Sequence, residues 1–341
     1  MKKERPSIER LSFFVIFVFR MEEKKLYPMR FCPVQDEYEW GSEKFLLADL
    51  GYRDTLVREG WLAANRMSEV METYMDRVVG DNVYEFYGRQ FPVCVRHLTV
   101  KGRMPLRVSP DDVIAGERYD LLGKEKLWYV LRCGSGARVM LGFKEDSEAS
   151  AVYDGCIDGS VGGMLNVVAP HAGQWFHIPP GTAHAAQGDI EIIEVAESSP
   201  VDICMCGWGR EVSTEEFDDS LTLIDALDFI NYKAYVADAP SAALIDIPQF
   251  KVEKLDLKAV LHSHSDAADS FVLYVGLSGS AAVQVDVLGQ TAAFSFGPSE
   301  AMLLPAECND FRLAPCAEGT SVLEIEIPHI VEKDSYLDPQ K

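Results

Sequence analysis

The chain has 341 residues, 48% of them hydrophobic and 25% charged, enough apolar material to bury one large core or two modest ones and too much for a disordered chain. Its 32 basic residues stand against 54 acidic ones, and the net charge of −22 argues against nucleic acid and anionic membranes as partners, because both repel a polyanion. The eight cysteines include no Cys-x-x-Cys, and Cys204-x-Cys206 stands alone, so buried thiols in a reducing, cytoplasmic compartment are expected rather than a disulfide scaffold.

In chain order, a basic start (Lys2, Lys3, Arg5, Arg10) leads into an apolar run from Leu11 to Phe19. That run is shorter than the roughly twenty residues a membrane span needs. No small-residue cleavage site follows it, so residues 1–20 are read as an upstream or disposable segment, with Met21 a sensible start. From about Glu43 to Asp81 apolar and charged residues mix at helical spacing, as in Val70-Met71-x2-Tyr74-Met75. From Phe91 on, short apolar stretches (Phe91–Val95, Leu127–Leu131, Val139–Phe143, Trp175–Ile178, Ile190–Val195) alternate with turn residues such as Asp158-Gly159 and Pro180-Gly181. That pattern predicts strands of a sandwich or barrel. A second helical stretch is expected over Glu215–Tyr232, and strands resume from Ile245 to about Ile327. The predicted order is helices, β-domain, helices, β-domain. The fold class is mostly β with helical segments, and the units are residues 21–240 and 241–341.

The sharpest local signal is Gly173-x5-Pro179-x-Gly181-x2-His184. Gly, Pro and Gly shape two turns, and the His returns on a strand that points into a barrel. This is the second cupin motif without a gap. Other segments extend the likeness: Tyr27-Pro28-Met29-Arg30-Phe31-x-Pro33 with Trp40-Gly41, Phe91 to Asp112, and Gly123-Lys124 through Trp128-Tyr129-Val130-Leu131. Further on come Gly136-Ala137-x3-Leu141-Gly142-Phe143-Lys144, Glu194, Arg210 and Asp269-Ser270-Phe271-Val272-x-Tyr274. Taken together, residues 25–330 resemble the short bacterial type I mannose 6-phosphate isomerases, which are double cupins.

That resemblance implies one divalent metal, usually zinc, in the first cupin. The family's four ligand positions fall on Arg107, Ser109, Lys126 and His184, of which His184 alone keeps a ligand. Arginine and protonated lysine have no lone pair to offer. The family's catalytic Lys corresponds to Lys124, and its final Arg to Arg210, while a further catalytic Arg position holds Cys204. No cofactor is expected in the first cupin, and zinc only if the family activity is retained. Spacing of i, i+2 on strands sets Arg107 beside Ser109 and Lys124 beside Lys126, each pair on one face. Arg107, Lys126 and Glu194 would then line a pocket for a small-molecule sugar phosphate. In the opposing reading, Arg107 and Lys126 pair with Glu194 or an Asp and plug the cavity.

A second arrangement, His262-x-His264-x4-Asp269-x6-Gly276 with Asp310 further on, resembles the first cupin motif and would suit zinc, manganese or iron. His171 and His177, which flank the first motif, are read as structural. Three functions follow: a diverged, catalytically impaired relative that retains a sugar-phosphate pocket, an active aldose–ketose isomerase, or a metal-dependent cupin enzyme using the second barrel. The oligomeric state is not legible.

Overall fold

Antiparallel strands assemble into four sheets in the computed structural model, which describes residues 24–209, 223–237, 243–264, 270–287 and 290–328. A six-stranded sheet runs in the order Trp175–Ile178, Lys126–Cys133, Ile190–Glu197, Val93–Val100, Gly41–Leu47, Val34–Tyr38. Opposite it lies a five-stranded sheet ordered Ile203–Cys206, Leu106–Val108, His184–Gln187, Arg138–Phe143, Leu165–Val168. Leu98, Trp128, Val130 and Ile192 from the first sheet meet Leu106, Val108, Val139 and Leu141 from the second in one core. This pair of sheets is the first barrel.

The second barrel pairs a seven-stranded sheet with a four-stranded one, closing on Val272, Tyr274, Val283, Phe311 and Leu313. The other face of the seven-stranded sheet presents Leu273, Val275, Leu303 and Ile325. These join Val93, Val95, Leu127, Tyr129 and Val195 from the outer face of the six-stranded sheet in a third core between the barrels. Both central sheets are therefore covered on two sides. That is why strands such as Lys126–Cys133 read as unbroken apolar runs rather than as an alternation.

Two-sided burial also corrects the first part of the helical expectation for 43–81, which holds only from Met67 on. Residues Gly41–Leu47 form a strand against Val93–Val100, with Phe45 opposite Arg96. The helices come later, at Met67–Tyr74, Asp76–Val79 and Asp81–Tyr87. A short apolar run buried on both faces cannot be told from a buried helical turn by spacing alone. Two further helices carry no such signal, Asp112–Tyr119 and Ala149–Asp158. Asp111 caps the first of these, accepting the Ile114 N–H at 2.8 Å. Of the helix expected over 215–232, residues 210–222 lie outside the described residues, and the rest holds one turn, Leu223–Ala226.

The described residues open on a strand rather than a helix. Met29–Cys32 pairs with Ala301–Leu304, Met29 opposite Leu303, inside the seven-stranded sheet of the second barrel. All eight cysteines are free thiols. No helix among the described residues is long and apolar enough to cross a membrane.

Candidate functional site in the first barrel

Strand register assembles the site from two facing rungs. On the six-stranded sheet Trp128 lies opposite Glu194, Glu194 opposite Arg96, and Arg96 opposite Phe45. On the five-stranded sheet Cys204 lies opposite Arg107 and Arg107 opposite His184. Lys126 stands two residues before Trp128 and so shares its face. The turn that delivers His184 needs its glycine: Gly181 has φ +78, and a Cβ there would sit 2.6 Å from the Phe229 carbonyl oxygen. Its N–H donates to the Ser109 carbonyl at 2.8 Å, tying the motif's turn to the strand that carries Arg107.

Arg107, Ser109, Lys124, Lys126, His184 and Glu194 are all buried and converge around one carboxylate, Asp202, and its neighbours. Lys126 Nζ donates to Asp202 Oδ2 at 2.8 Å and reaches His184 Nε2 at 2.8 Å. Ser109 Oγ donates to Asp202 Oδ1 at 3.2 Å. Arg107 donates to Glu43 at 2.9 Å, and Arg96 bridges Glu43 at 2.7 Å and Glu194 Oε1 at 2.8 Å. The indole of Trp128 donates to the other oxygen of Glu194 at 2.7 Å. Buried charges require such pairing, because an isolated ion loses its hydration with nothing in return.

Protonation follows from these partners. His184 Nδ1 stands 2.9 Å from the Thr182 carbonyl oxygen, which can only accept, so Nδ1 carries the proton and Nε2 offers its lone pair to Lys126. Burial first, and then the Lys126 charge, push His184 down to about 3, so the ring is neutral at pH 7. Burial works against the charge of Glu194, but Arg96, Lys126 and Lys124 outweigh it and hold the carboxyl at about 2. Burial also works against the charge of Asp202, but Lys126, Lys124 and Arg107 hold its carboxyl well below its usual range. For Lys126 the balance tips the other way. Desolvation prevails over Asp202 and Glu194, and the ammonium is pushed down to about 8. The Lys126–Asp202 pair is thus ionic at pH 7.

Four members of this network escape a sequence reading: Glu43, Arg96, Trp128 and Asp202. The available signal was a charge set inside an apolar run, as in Val93-Cys-Val-Arg96-His-Leu98 and Val201-Asp202-Ile203. Partners such as Glu43 and Arg96 lie 53 residues apart and meet only through the sheet. Of the remaining candidates, Arg210 and Asp269 lie outside the described residues. His262 pairs with Asp310 at 2.8 Å on the solvent-exposed strand Leu261–His264, and His264 is exposed on the same strand. His177 binds Glu125 at 2.8 Å, and His171 is exposed. Among the described residues no three His, Cys, Asp or Glu side chains are grouped so as to hold a metal ion.

Known proteins place this architecture. The mannose-6-phosphate isomerase ManA of Bacillus subtilis is 23% identical over 317 residues, covering 85% of this chain and 97% of that protein. The chain is a mannose-6-phosphate isomerase homologue. The crystal structure of the mannose 6-phosphate isomerase from Bacillus subtilis matches the homologue's fold with a TM-score of 0.73 at 19% identity, over 88% of this chain and 99% of that one. A phosphomannose isomerase variant from Salmonella typhimurium matches with a TM-score of 0.68 at 11% identity, over 89% and 100%. No family model matches the homologue. Its fold is the mostly β, double-cupin fold of these isomerases.

Proposed function

We propose that this chain serves carbohydrate metabolism as a mannose-6-phosphate isomerase-like protein whose first barrel has exchanged metal-dependent chemistry for a buried ionic network. The observation that carries this is the contact between Lys126 and His184. Catalytic zinc ordinarily takes three protein ligands and a water. Here the residues at the family's ligand positions do not fit a divalent cation. Arg107 and Lys126 are cations themselves, and the lone pair of His184 already faces an ammonium. No step of an aldose–ketose interconversion is derived through a metal at this site.

The same geometry weighs against a sugar phosphate held by Arg107 and Lys126. Both would have to leave Glu43 and Asp202, and breaking a buried ion pair costs about 3–5 kcal/mol. A charge-assisted hydrogen bond to phosphate returns about 1.5–3 kcal/mol. The exchange does not favour the ligand.

The test is a coupled assay for fructose 6-phosphate formed from mannose 6-phosphate, run beside metal analysis of the purified protein. The expected result is turnover no faster than the buffer and well under one equivalent of zinc per chain. Zinc-dependent turnover lost on His184→Ala would overturn the proposal.

A further inference from the structure

Lys124 carries the charge that the network leaves over. Its side chain is 2% exposed, and Asp202 Oδ2, its ion-pair partner among the described residues, stands 3.8 Å away, beyond hydrogen-bond reach. Its ammonium makes no hydrogen bond to the described residues. Around it, among the described residues, four buried cations (Arg96, Arg107, Lys124, Lys126) meet three buried carboxylates (Glu43, Glu194, Asp202), one positive charge in excess, while burial and the nearby Asp112 hold the buried carboxyl of Glu197 well above its usual range. Neighbouring groups do not correct this. His184 is neutral, because Nδ1 faces the Thr182 carbonyl and Nε2 accepts from the Lys126 ammonium, and burial pushes the thiols of Cys94 and Cys204 up to about 12 and about 11. An ammonium with three donors, its side chain 2% exposed and without a hydrogen-bond acceptor among the described residues, is costly unless something negative accompanies it.

We propose that the Lys124 ammonium holds a small monovalent inorganic anion of halide size, which closes the charge balance of the first barrel. The excess of one charge sets the valence. The size follows from the neighbours, because Arg107 and Lys126 are already engaged by Glu43 and Asp202. A spherical ion also makes no directional demand on the lysine. This inference rests on the metal-free reading of the site, and zinc analysis of the same sample keeps the two apart.

The probe is sodium chloride or bromide against sodium gluconate at equal ionic strength, on full-length zinc-free protein. Melting temperature should rise with halide, by about 2–4 °C over a hundredfold range of concentration, and remain flat in gluconate. Lys124→Met should abolish the halide response. Should that variant fail to fold, a bromide anomalous peak beside Lys124 Nζ in wild-type crystals would carry the same information. Zinc-free protein that is indifferent to halide, or bromide-soaked crystals without that peak, would overturn this inference and leave the proposed function intact. One equivalent of zinc would overturn both.

Discussion

Nζ of Lys126 and Nε2 of His184 stand 2.8 Å apart, the ammonium donating to the ring's unprotonated nitrogen. A single lone pair cannot serve both an ammonium and a metal. A divalent ion entering here would displace Lys126 from His184 and then repel it, along with Arg107. This relationship makes several outcomes measurable.

Chelation should leave stability untouched. A native-state ligand stabilises by mass action, so its removal lowers the melting temperature. With EDTA the melting temperature should stay within about 1 °C of the untreated protein by calorimetry. A fall of several degrees would reveal an ion that the barrel depends on.

Asp202 should be the costliest single carboxylate to neutralise. It accepts from Lys126 and Ser109 and lies 3.9 Å from Arg107 and 3.8 Å from Lys124. Asp202→Asn should lose about 3–5 kcal/mol in denaturant titration, the range for breaking a buried pair. Adding Lys126→Met should recover part of that loss, because the stranded charge goes too. A double-mutant cycle in which the two changes simply add would show that the residues do not interact.

Rebuilding the family's donors should restore metal binding. Arg107→Gln, Ser109→His and Lys126→Glu together with His184 would supply four ligands where one remains. The triple variant should retain about one equivalent of zinc after washing, against well under one for the wild type. Isomerase activity should not follow, since the resemblance puts Cys204 where the family carries a catalytic Arg. Failure of the triple variant to hold zinc would mean that these strands no longer converge as the family's do.

Away from the barrel interior, Asp49 predicts a pH dependence. Burial raises its carboxyl to about 6, although it accepts the Phe91 N–H at 3.0 Å. An acid with a raised pKa binds its proton more tightly in the folded state. Its contribution is therefore whole below about pH 4 and is lost as pH rises towards 6. Each tenfold gain in proton affinity on folding corresponds to about 1.4 kcal/mol. Asp49→Asn should raise the melting temperature at pH 7 and flatten its slope between pH 4 and 6. An unchanged slope would locate the titration elsewhere.

The parts of the fold legible in the sequence were those written locally. Gly173-x5-Pro179-x-Gly181-x2-His184 fixes a turn whose glycines take positive φ, and it delivers His184 onto its strand where the motif says it should. Strands such as Trp175–Ile178 match their apolar runs end to end. Residues 43–47 were misleading because a strand buried on two faces has no period to read. In the site, Arg107 and Lys126 could be marked as unsuited to a metal from residue type alone. Their partners could not be named, because Glu43 and Asp202 reach them across separations of 64 and 76 residues set by sheet register.

The strand Met29–Cys32 has a consequence for how the molecule comes into being. It is among the first described residues to leave the ribosome, yet its place is between Ala301–Leu304 and Leu56–Val57, and Ala301–Leu304 is among the last. The C-terminal barrel therefore cannot complete its largest sheet until both ends of the chain are available. Cutting the chain between the barrels would leave Ala301–Leu304 with a bare edge in one piece and Met29–Cys32 paired with Leu56–Val57 alone in the other. The two barrels resemble modules in outline, but the chain ties them as a knotless clasp, to be synthesised, inherited and unfolded as one.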